Sequence, residues 1–339
     1  MGGKKGHNGA FAKEQTLALA AGLDYCGVAA AGLSRRFPRI ILDILVNLSG
    51  VYEAKKILSH FAPQAVIGTG GYAMAPSLRA AVSLHIPTLL HEQNVYPGWA
   101  NRYLAGKVDV ICLSFAAARP FFPARAHLIV SGMPVRQEIM NTGRQEAYEF
   151  FGIKEKNMPT LLVTGGSQGA KRLNEAVCGC YAQLLSAGLR IIHLTGEAHY
   201  NNCLNAAAGL KQENLYILPY LEEMQYALAL ADLAVARAGA SFLAEAAITG
   251  LPTILIPYPY AANDHQTLNA KSFVEKKAAR MLSDAQLSAD SLVIQIIELL
   301  DNVEERQMMS EAALSLAKPN AIESLIDAVY GQIRGYNYE

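Results

Sequence analysis

The chain has 339 residues, of which 52% are hydrophobic and 17% are charged. This length and composition predict two domains with sizeable buried cores. Lys plus Arg and Asp plus Glu each number 29, so the formal net charge is zero. A neutral chain has no global field that recruits nucleic acid, and we expect no nucleic-acid partner.

The ends and the cysteines indicate where the protein works. The start, MGGKKGHNGAFAKEQ, lacks the apolar core of a signal peptide, and no apolar stretch is long enough to span a bilayer. The chain has five cysteines, an odd number, and they lack the paired spacing of a metal site. They are Cys26, Cys112, Cys178, Cys180 and Cys203. We therefore expect a reduced, cytoplasmic protein without structural disulfides or a metal, in which Cys178 and Cys180 belong to the core.

The most apolar segment, RRFPRIILDILVNLSGVY (35–52), is interrupted by Asp43 and Asn47 and does not span a membrane. Two interpretations are open. An amphipathic helix that packs on a sheet explains the apolar positions Ile40, Ile41, Ile44 and Leu48. Docking on anionic lipid head groups would use the basic and aromatic rim formed by Arg35, Arg36, Phe37 and Arg39.

Strand and helix patterns alternate along the whole chain. β-rich runs occur at 64–71, 86–93, 108–114, 126–132, 159–166, 189–196, 214–221, 231–239 and 252–259. Strands that alternate with helices predict parallel sheets, hence an α/β fold of two Rossmann-like, doubly wound domains. We expect an N-terminal domain at 1–136, rejoined by a C-terminal helix at 319–339, and a second domain at 155–317.

The stretch TLLVTGGSQGAKRLNEAV (160–177) predicts a strand, a glycine-rich turn and a helix. The P-loop pattern is absent because Ala170 and Lys171 follow the last glycine directly, and the dinucleotide fingerprint is also missing. A nicotinamide-dependent oxidoreductase is therefore disfavoured. Ser167 and free backbone N–H groups at a helix N-terminus favour an anion, although Ser167 also fits a helix cap.

A second glycine turn lies in IGTGGYAMAPSLRAA (67–81), and a third in ARAGASFLAEAAITGLP (236–252). In the third, Gly239 turns the chain and a helix begins near Ser241, so that Glu245 shares a face with Ser241. A carboxylate there can accept two hydrogen bonds from a ribose diol; the alternative is a first-turn carboxylate favoured by the helix dipole. Gln266 and Asn269 share a face of the next helix and suit sugar hydroxyls.

Five motifs, in this order and spacing, resemble the MurG family: GTGGYAMAP, HEQN, TGGSQGA, RAGASFLAEAAITGLP and NDHQTLNA. The resemblance covers the chain from about residue 6 onward. It implies a GT-B architecture, with two domains facing a cleft, and inverting transfer of N-acetylglucosamine from UDP to lipid I in peptidoglycan synthesis. It implies no cofactor and no required metal, in keeping with the absence of an Asp-x-Asp pair. The implied partners are UDP-N-acetylglucosamine, lipid I and an anionic membrane, with the protein peripheral on the cytoplasmic side of the cell membrane.

The resemblance places the donor site on Asn94, Arg136, Ser167, Leu221, Ala240, Ser241, Phe242, Leu243, Ala244, Glu245 and Gln266. In this assignment Ser167 and the adjacent N–H groups neutralise the diphosphate leaving group. Leu221 presents its backbone to uracil, Glu245 holds the ribose and Gln266 contacts the sugar. Asn94, from the opposite domain, completes the site when the cleft closes.

One departure from the family concerns the start of the chain. The family begins with a strand, a glycine-rich turn ending in His, a helix and a second strand, whereas Met1 falls near the end of that second strand. A βαβ unit takes roughly 30 residues, and we expect about that much to be missing. The alternative makes GGKKGH the turn, with His7 as its histidine.

The absent turn carries the family's favoured general base, so the catalytic residue is unassigned. Glu92 and His91 are the substitutes, although a histidine after a strand is more often structural. Two hypotheses remain: an active lipid I transferase, and a catalytically silent relative that binds UDP-sugar.

Overall fold

The computed structural model describes residues 1–3, 13–32, 34, 37–211 and 213–333. His7, Arg35 and Arg36, named above, lie outside the described residues. The chain forms two compact units. Unit 1 comprises Met1–Gly132 with the C-terminal segment from Ile322, and unit 2 comprises Met133–Ala321. The sequence predicts the boundary after Arg136, and in the structure the first unit ends four residues earlier, at Gly132.

Unit 1 is built around a parallel four-stranded sheet in the order β3-β4-β5-β6, with β1 and β2 paired separately. Its elements are β1 Gly2–Gly3, α1 Lys13–Ala20, β2 Gly27–Val28, α2 Arg39–Phe61, β3 Val66–Gly68, α3 Ala75–Ser83, β4 Thr88–Glu92, α4 Trp99–Leu104, β5 Val110–Leu113 and β6 Leu128–Val130. Short 3₁₀ helices cover Tyr72–Met74 and Ala116–Phe121.

Unit 2 contains a parallel six-stranded sheet in the order β12-β11-β10-β7-β8-β9. Its elements are α5 Gln137–Asn141, α6 Arg144–Phe150, β7 Thr160–Thr164, α7 Lys171–Ser186, β8 Arg190–Leu194, α8 Tyr200–Ala206, β9 Leu215–Leu218, α9 Met224–Leu230, β10 Leu233–Ala236, α10 Ala240–Thr249, β11 Thr253–Leu255, α11 His265–Val274, β12 Arg280–Met281, α12 Ala289–Asp301 and α13 Val303–Leu316. The last helix, α14, spans Ala321–Tyr330 and falls almost wholly within unit 1.

The strands form where the sequence has short apolar runs. Every residue of β4, β5, β7, β8 and β10 is buried, as expected for central strands covered by helices on both faces. All nine β-rich runs contain a strand, so the predicted α/β fold of two parallel-sheet units is confirmed. The sequence analysis missed only very short strands, β1, β2 and β12, whose two residues carry no periodicity.

The strand order of unit 2 determines where a ligand can bind. β7 and β10 are neighbours, and the chain winds outward from them in both directions, through β8 and β9 on one side and β11 and β12 on the other. This reversal is the topological switch point of a Rossmann sheet, where a crevice opens beyond the carboxyl ends of the strands. The glycine turns that follow β7 and β10 therefore meet at one place.

The first half of helix α2, up to Gly50, does not bury an apolar face, whereas in the second half Ala54 and Leu58 belong to a hydrophobic core. The inward positions of α2 are Asp43, Gly50, Ala54 and Leu58. By contrast Ile41, Ile44 and Leu48 are 46%, 45% and 61% exposed, so the packing expectation is wrong for them. The polar side chains turn inward because they find backbone partners in the preceding segment: Asp43 accepts from the Ser34 N–H at 2.7 Å.

Asn47 completes this inward polar contact. Its Oδ1 accepts from the Ala31 N–H at 3.2 Å, and its Nδ2 donates to the carbonyls of Ala31 and Asp43 at 2.9 and 2.7 Å. Gly50 allows the close approach, because a Cβ there would lie 1.7 Å from the Ala29 carbonyl oxygen. None of the helices among the described residues has the length and hydropathy to cross a membrane.

Candidate functional site

A cavity of about 420 Å³ lies at the switch point of unit 2. This volume is within the range of about 300–1,000 Å³ typical of small-molecule sites. Its walls are the turns after β7, β9 and β10 together with the first turns of α10 and α11. It is lined by Arg136, Thr164, Gly165, Gly166, Ser167, Leu194, Pro219, Tyr220, Leu221, Met224, Arg237, Gly239, Ala240, Ser241, Phe242, Glu245 and Gln266.

The turn after β7 can be built only with glycine at Gly169. This residue has φ 72°, and a Cβ there would lie 2.1 Å from the Thr195 carbonyl oxygen. Its N–H donates to the Gly166 carbonyl at 2.9 Å, while the Gly166 N–H donates to Thr164 Oγ1 at 3.2 Å. These bonds hold the turn tight against the start of α7 and place it on the cavity wall.

Ser167 projects from this turn as an exposed residue on the cavity wall. Helix α7 begins at Lys171 with Ala170 as its N-cap, so Ser167 is not the capping residue. The N-cap alanine has no side-chain acceptor, and the first N–H groups of the helix lack the usual capping partner. The capping interpretation of Ser167 is therefore wrong, and the turn keeps the character of an anion site.

Glu245 is half-buried on the cavity wall, in the second turn of α10. It lies beyond the first turn, so the helix-dipole interpretation is wrong. Burial raises the pKa of Glu245 to about 7, although the positive charge of Arg136 opposes the shift. The Arg136 guanidinium donates to the Glu222 carbonyl at 3.1 Å, which fixes this cation beside the cavity.

Gln266 and Leu221 also line the cavity. Gln266 Oε1 accepts from the Tyr258 N–H at 2.9 Å, and this bond fixes the amide so that its NH₂ group remains to donate. Asn269, expected to contact the sugar with Gln266, is instead fully buried and donates to the Ala238 carbonyl at 3.2 Å. Asn269 supports the turn before α10 and is not part of the cavity wall.

Arg237 is a site residue that was not predicted from the sequence. Arg237 is a buried cation on the cavity wall. It donates to the carbonyls of Ile256 and Pro257 at 3.1 and 3.0 Å and pairs with Asp284 at 2.8 Å. This bonding makes Arg237 a clamp between the ends of β10 and β11. The available signal was an arginine directly after a buried strand.

Three predicted site residues lie outside this wall. Leu243 is fully buried in the core, and Ala244 is half-buried but does not line the cavity. Asn94 belongs to unit 1, where its N–H donates to Glu92 Oε1 at 2.9 Å. The structure therefore brings together eight of the eleven predicted donor-site residues, all of them within unit 2.

Glu92 and His91, the substitutes for the base, are buried at the end of β4. Glu92 accepts from the Asn94 and Gly98 N–H groups and from Asn101 Nδ2 at 2.9, 3.2 and 2.6 Å. Burial raises the pKa of Glu92 and lowers that of His91. These bonds give Glu92 a structural role, because they hold the loop between β4 and α4 in place, while His91 Nε2 lies 3.0 Å from the Gly132 carbonyl oxygen.

Comparisons with known proteins agree with this architecture. The glycosyltransferase family 28 C-terminal domain matches residues 160–325, and the N-terminal domain of that family matches residues 10–112. A Halothermothrix orenii protein is 39% identical over 326 residues, covering 93% of this chain and 87% of its own. It is named UDP-N-acetylglucosamine--N-acetylmuramyl-(pentapeptide) pyrophosphoryl-undecaprenol N-acetylglucosamine transferase. A protein of the same name from Moorella thermoacetica is 38% identical, covering 91% of this chain and 85% of its own.

Solved structures extend the likeness to the fold. The crystal structure of Acinetobacter baumannii MurG has a TM-score of 0.72 and 29% identity, covering 94% of this chain and 88% of its own. A UDP-GlcNAc 2-epimerase from Neisseria meningitidis shares the fold alone, at a TM-score of 0.63 and 13% identity. The domain matches and the identity to the curated transferases show that this chain belongs to the MurG family within glycosyltransferase family 28.

Proposed function

We propose that this protein transfers N-acetylglucosamine from UDP-N-acetylglucosamine to lipid I, with inversion, to form lipid II. The observation that carries the proposal is the cavity at the switch point of unit 2. There a glycine turn suited to an anion, a carboxylate and a carboxamide lie on one wall. The acceptor, lipid I, is inferred from the names of the related transferases.

Each part of the donor has a matching group in this cavity. The Ser167 hydroxyl and the N–H groups of the turn at 165–170, other than those of Gly166 and Gly169, which bond within the turn, bind the diphosphate and stabilise the charge that develops as it leaves. Glu245 accepts from the ribose hydroxyls, and the Gln266 NH₂ group donates to the sugar. Leu221 presents backbone groups to the edge of uracil. The charge of the leaving group is met by N–H dipoles and by Arg136, so no metal is assigned a role.

The test is transfer of labelled N-acetylglucosamine to lipid I, measured alongside calorimetric binding of UDP. Glu245→Ala should weaken UDP binding by about 1–3 kcal/mol, because ribose hydroxyls lose their acceptor. Glu275→Ala, an exposed glutamate beyond the end of α11, is the matched control. Equal UDP binding by both variants would remove Glu245 from the site. UDP binding without any transfer would instead identify the catalytically silent relative.

We further propose that unit 1 contacts an anionic membrane surface from the cytoplasmic side, where lipid I is presented. Support comes from the outward face of α2, where Leu42, Leu45 and Leu48 are 61%, 56% and 61% exposed. Monomeric surfaces rarely expose contiguous apolar patches of this kind without a partner. Phe37, just before the helix, is 81% exposed, and the neighbouring Arg39 supplies a positive charge.

A second apolar feature adjoins this face of α2. A cavity of about 540 Å³ is lined by α2, α3 and α4, with apolar side chains such as Ile44 and Val51. Trp99 and Tyr103 stack at its edge with ring centroids 5.3 Å apart, and both are about half exposed. Lys55 and Arg79 line the same cavity. Aromatic rings beside basic side chains are typical of the boundary between head groups and acyl chains.

A further inference from the structure

Three side chains with metal-binding atoms meet beside β8, outside the cavity described above. Cys178 lies in α7, His193 in β8 and Cys203 in α8. The two Sγ atoms and a ring nitrogen of His193 lie within 4.8 Å of one another. Among the described residues, no other group of three cysteine, histidine or carboxylate side chains meets this criterion.

The orientation of His193 is fixed by a second residue, Asn174. Asn174 Nδ2 donates to the Thr195 carbonyl at 2.7 Å, so its Oδ1 is the atom that faces His193 Nε2 at 3.1 Å. An oxygen there requires a hydrogen on Nε2, which leaves the lone pair on Nδ1. Metal-binding histidines are held in this way, with the second ring nitrogen donating to an amide or carboxylate oxygen.

His193 and Cys203 are buried, and Cys178 is the partly exposed member of the cluster. The two cysteines border a cavity of about 240 Å³, whereas His193 does not line it. Lys171 and His199 lie on the same wall.

We propose that Cys178, His193 and Cys203 form a binding site for a thiophilic divalent cation, of which Zn²⁺ is the chemical match. Two thiolates and one imidazole are three of the four ligands of a tetrahedral zinc ion, and a water molecule from the cavity completes the set. This site is separate from the nucleotide cavity and does not depend on the proposed transfer reaction. The ion would tie α7, which begins at the glycine turn, to β8 and α8.

Binding has a defined proton balance. Each thiol releases its proton to solvent as a metal–sulfur bond forms. The Tyr181 hydroxyl lies 2.5 Å from His193 Nδ1 and 3.6 Å from Cys178 Sγ. The Tyr181 hydroxyl now occupies the position that a metal on Nδ1 would take, so the buried Tyr181 side chain has to move aside, after which its hydroxyl can donate to the Cys178 thiolate. No oxidant or reductant takes part.

The experiment is a titration of the full chain with Co²⁺, after treatment with a chelator and under a phosphine reductant that keeps the thiols free. A thiolate-to-cobalt charge-transfer band and the intense visible bands of tetrahedral Co²⁺ should appear and saturate at one equivalent. Zn²⁺ should then displace Co²⁺ and abolish the bands. A parent protein that shows no such bands would overturn the proposal.

Variants identify the ligands. Cys178→Ser, at a half-buried position, should reduce Zn²⁺ affinity by at least about 100-fold in competition with a chelating dye, and His193→Gln should do the same. The matched controls are Cys180→Ala, two residues along the same helix, and Cys26→Ser, an exposed cysteine. Both controls should keep the parent spectrum. Unchanged bands in Cys178→Ser would contradict the site, as would loss of the bands in Cys180→Ala with the fold intact by circular dichroism.

Discussion

The two units use their apolar residues in opposite ways. In unit 2 the apolar faces of α7 and α12 join β7 and β8 in one buried core, with Leu173, Val177, Leu292 and Ile296 fully buried. In unit 1 Leu42, Leu45 and Leu48 of α2 face outward, and Ile67 on the edge strand β3 is 55% exposed. The site residues of unit 2 lie in the turns beside its core and in the helices that follow them. Unit 1 leaves apolar side chains of α2 and β3 exposed.

We expect the largest change in UDP affinity from a substitution in the glycine turn after β7 of unit 2. Gly169→Ala should reduce UDP affinity by more than about 100-fold (roughly 3 kcal/mol), because the new Cβ collides with the Thr195 carbonyl at a positive φ. Calorimetry measures the change. Gly188→Ala, at φ 80° with open space around it, is the matched control and should keep the parent affinity. Equal losses in both variants would make general destabilisation the cause.

The outward face of unit 1 can be tested with charge held constant. The triple variant Leu42→Ser, Leu45→Ser, Leu48→Ser should weaken partition onto anionic vesicles by at least about 30-fold (roughly 2 kcal/mol), because it removes apolar area that enters the lipid. Sedimentation with vesicles gives the partition coefficient. The control replaces Ile294 and Leu314, exposed apolar residues of unit 2, by serine. Parent-like sedimentation of the triple variant would leave α2 without a membrane role.

The inverted packing of α2 predicts an unusual order of stabilities. Asn47→Ala should lower the free energy of unfolding by about 1–3 kcal/mol, because it leaves the Ala31 backbone groups without their partner. Leu45→Ala, on the exposed face, should change it by no more than about 0.5 kcal/mol. Chemical denaturation of both variants measures the difference. A larger loss in Leu45→Ala would mean that the apolar face packs inward after all.

The smallest effect is a pH dependence in unit 2. With its pKa raised to about 7, Glu245 is protonated below that pH and loses acceptor capacity for the ribose. Affinity for UDP-N-acetylglucosamine should therefore fall by up to about tenfold between pH 8 and pH 6. We choose UDP-N-acetylglucosamine as the ligand for this experiment, because UDP has a terminal phosphate group that itself titrates near pH 6. Glu245→Gln should bind with the same affinity at both pH values, and an identical decline in that variant would assign the titration to another group.

The sequence predicted the fold, and eight of the eleven predicted site residues line the cavity of unit 2. Buried parallel strands such as Leu161–Val163 appear as continuous apolar runs, and glycine turns mark where those strands end. The sequence could not predict which face of α2 points inward. Periodicity cannot show that Asp43 and Asn47 bond to the backbone of a segment outside the helix. The pair of Arg237 with Asp284 is similarly non-local.

The thiol and imidazole cluster shows the same limit. The spacing of Cys178 and Cys180 suggested only core positions, and Cys180 is indeed fully buried. Cys178 instead meets His193 and Cys203 from two other elements, so no local spacing in the sequence marks the group. Contacts that depend on how helices pack against a sheet are set by tertiary structure, which a linear pattern does not encode.

The central claim is that unit 2 binds the nucleotide and unit 1 contacts the membrane. Amide hydrogen exchange, measured with UDP and with anionic vesicles in turn, tests this claim most directly. UDP should slow exchange at 165–171 and 239–245 in unit 2 and leave α2 unchanged. Anionic vesicles should slow exchange in the first turns of α2 and around Trp99 and leave the glycine turn unchanged. Protection of α2 by UDP in the absence of lipid, with no protection at 165–171, would contradict the account.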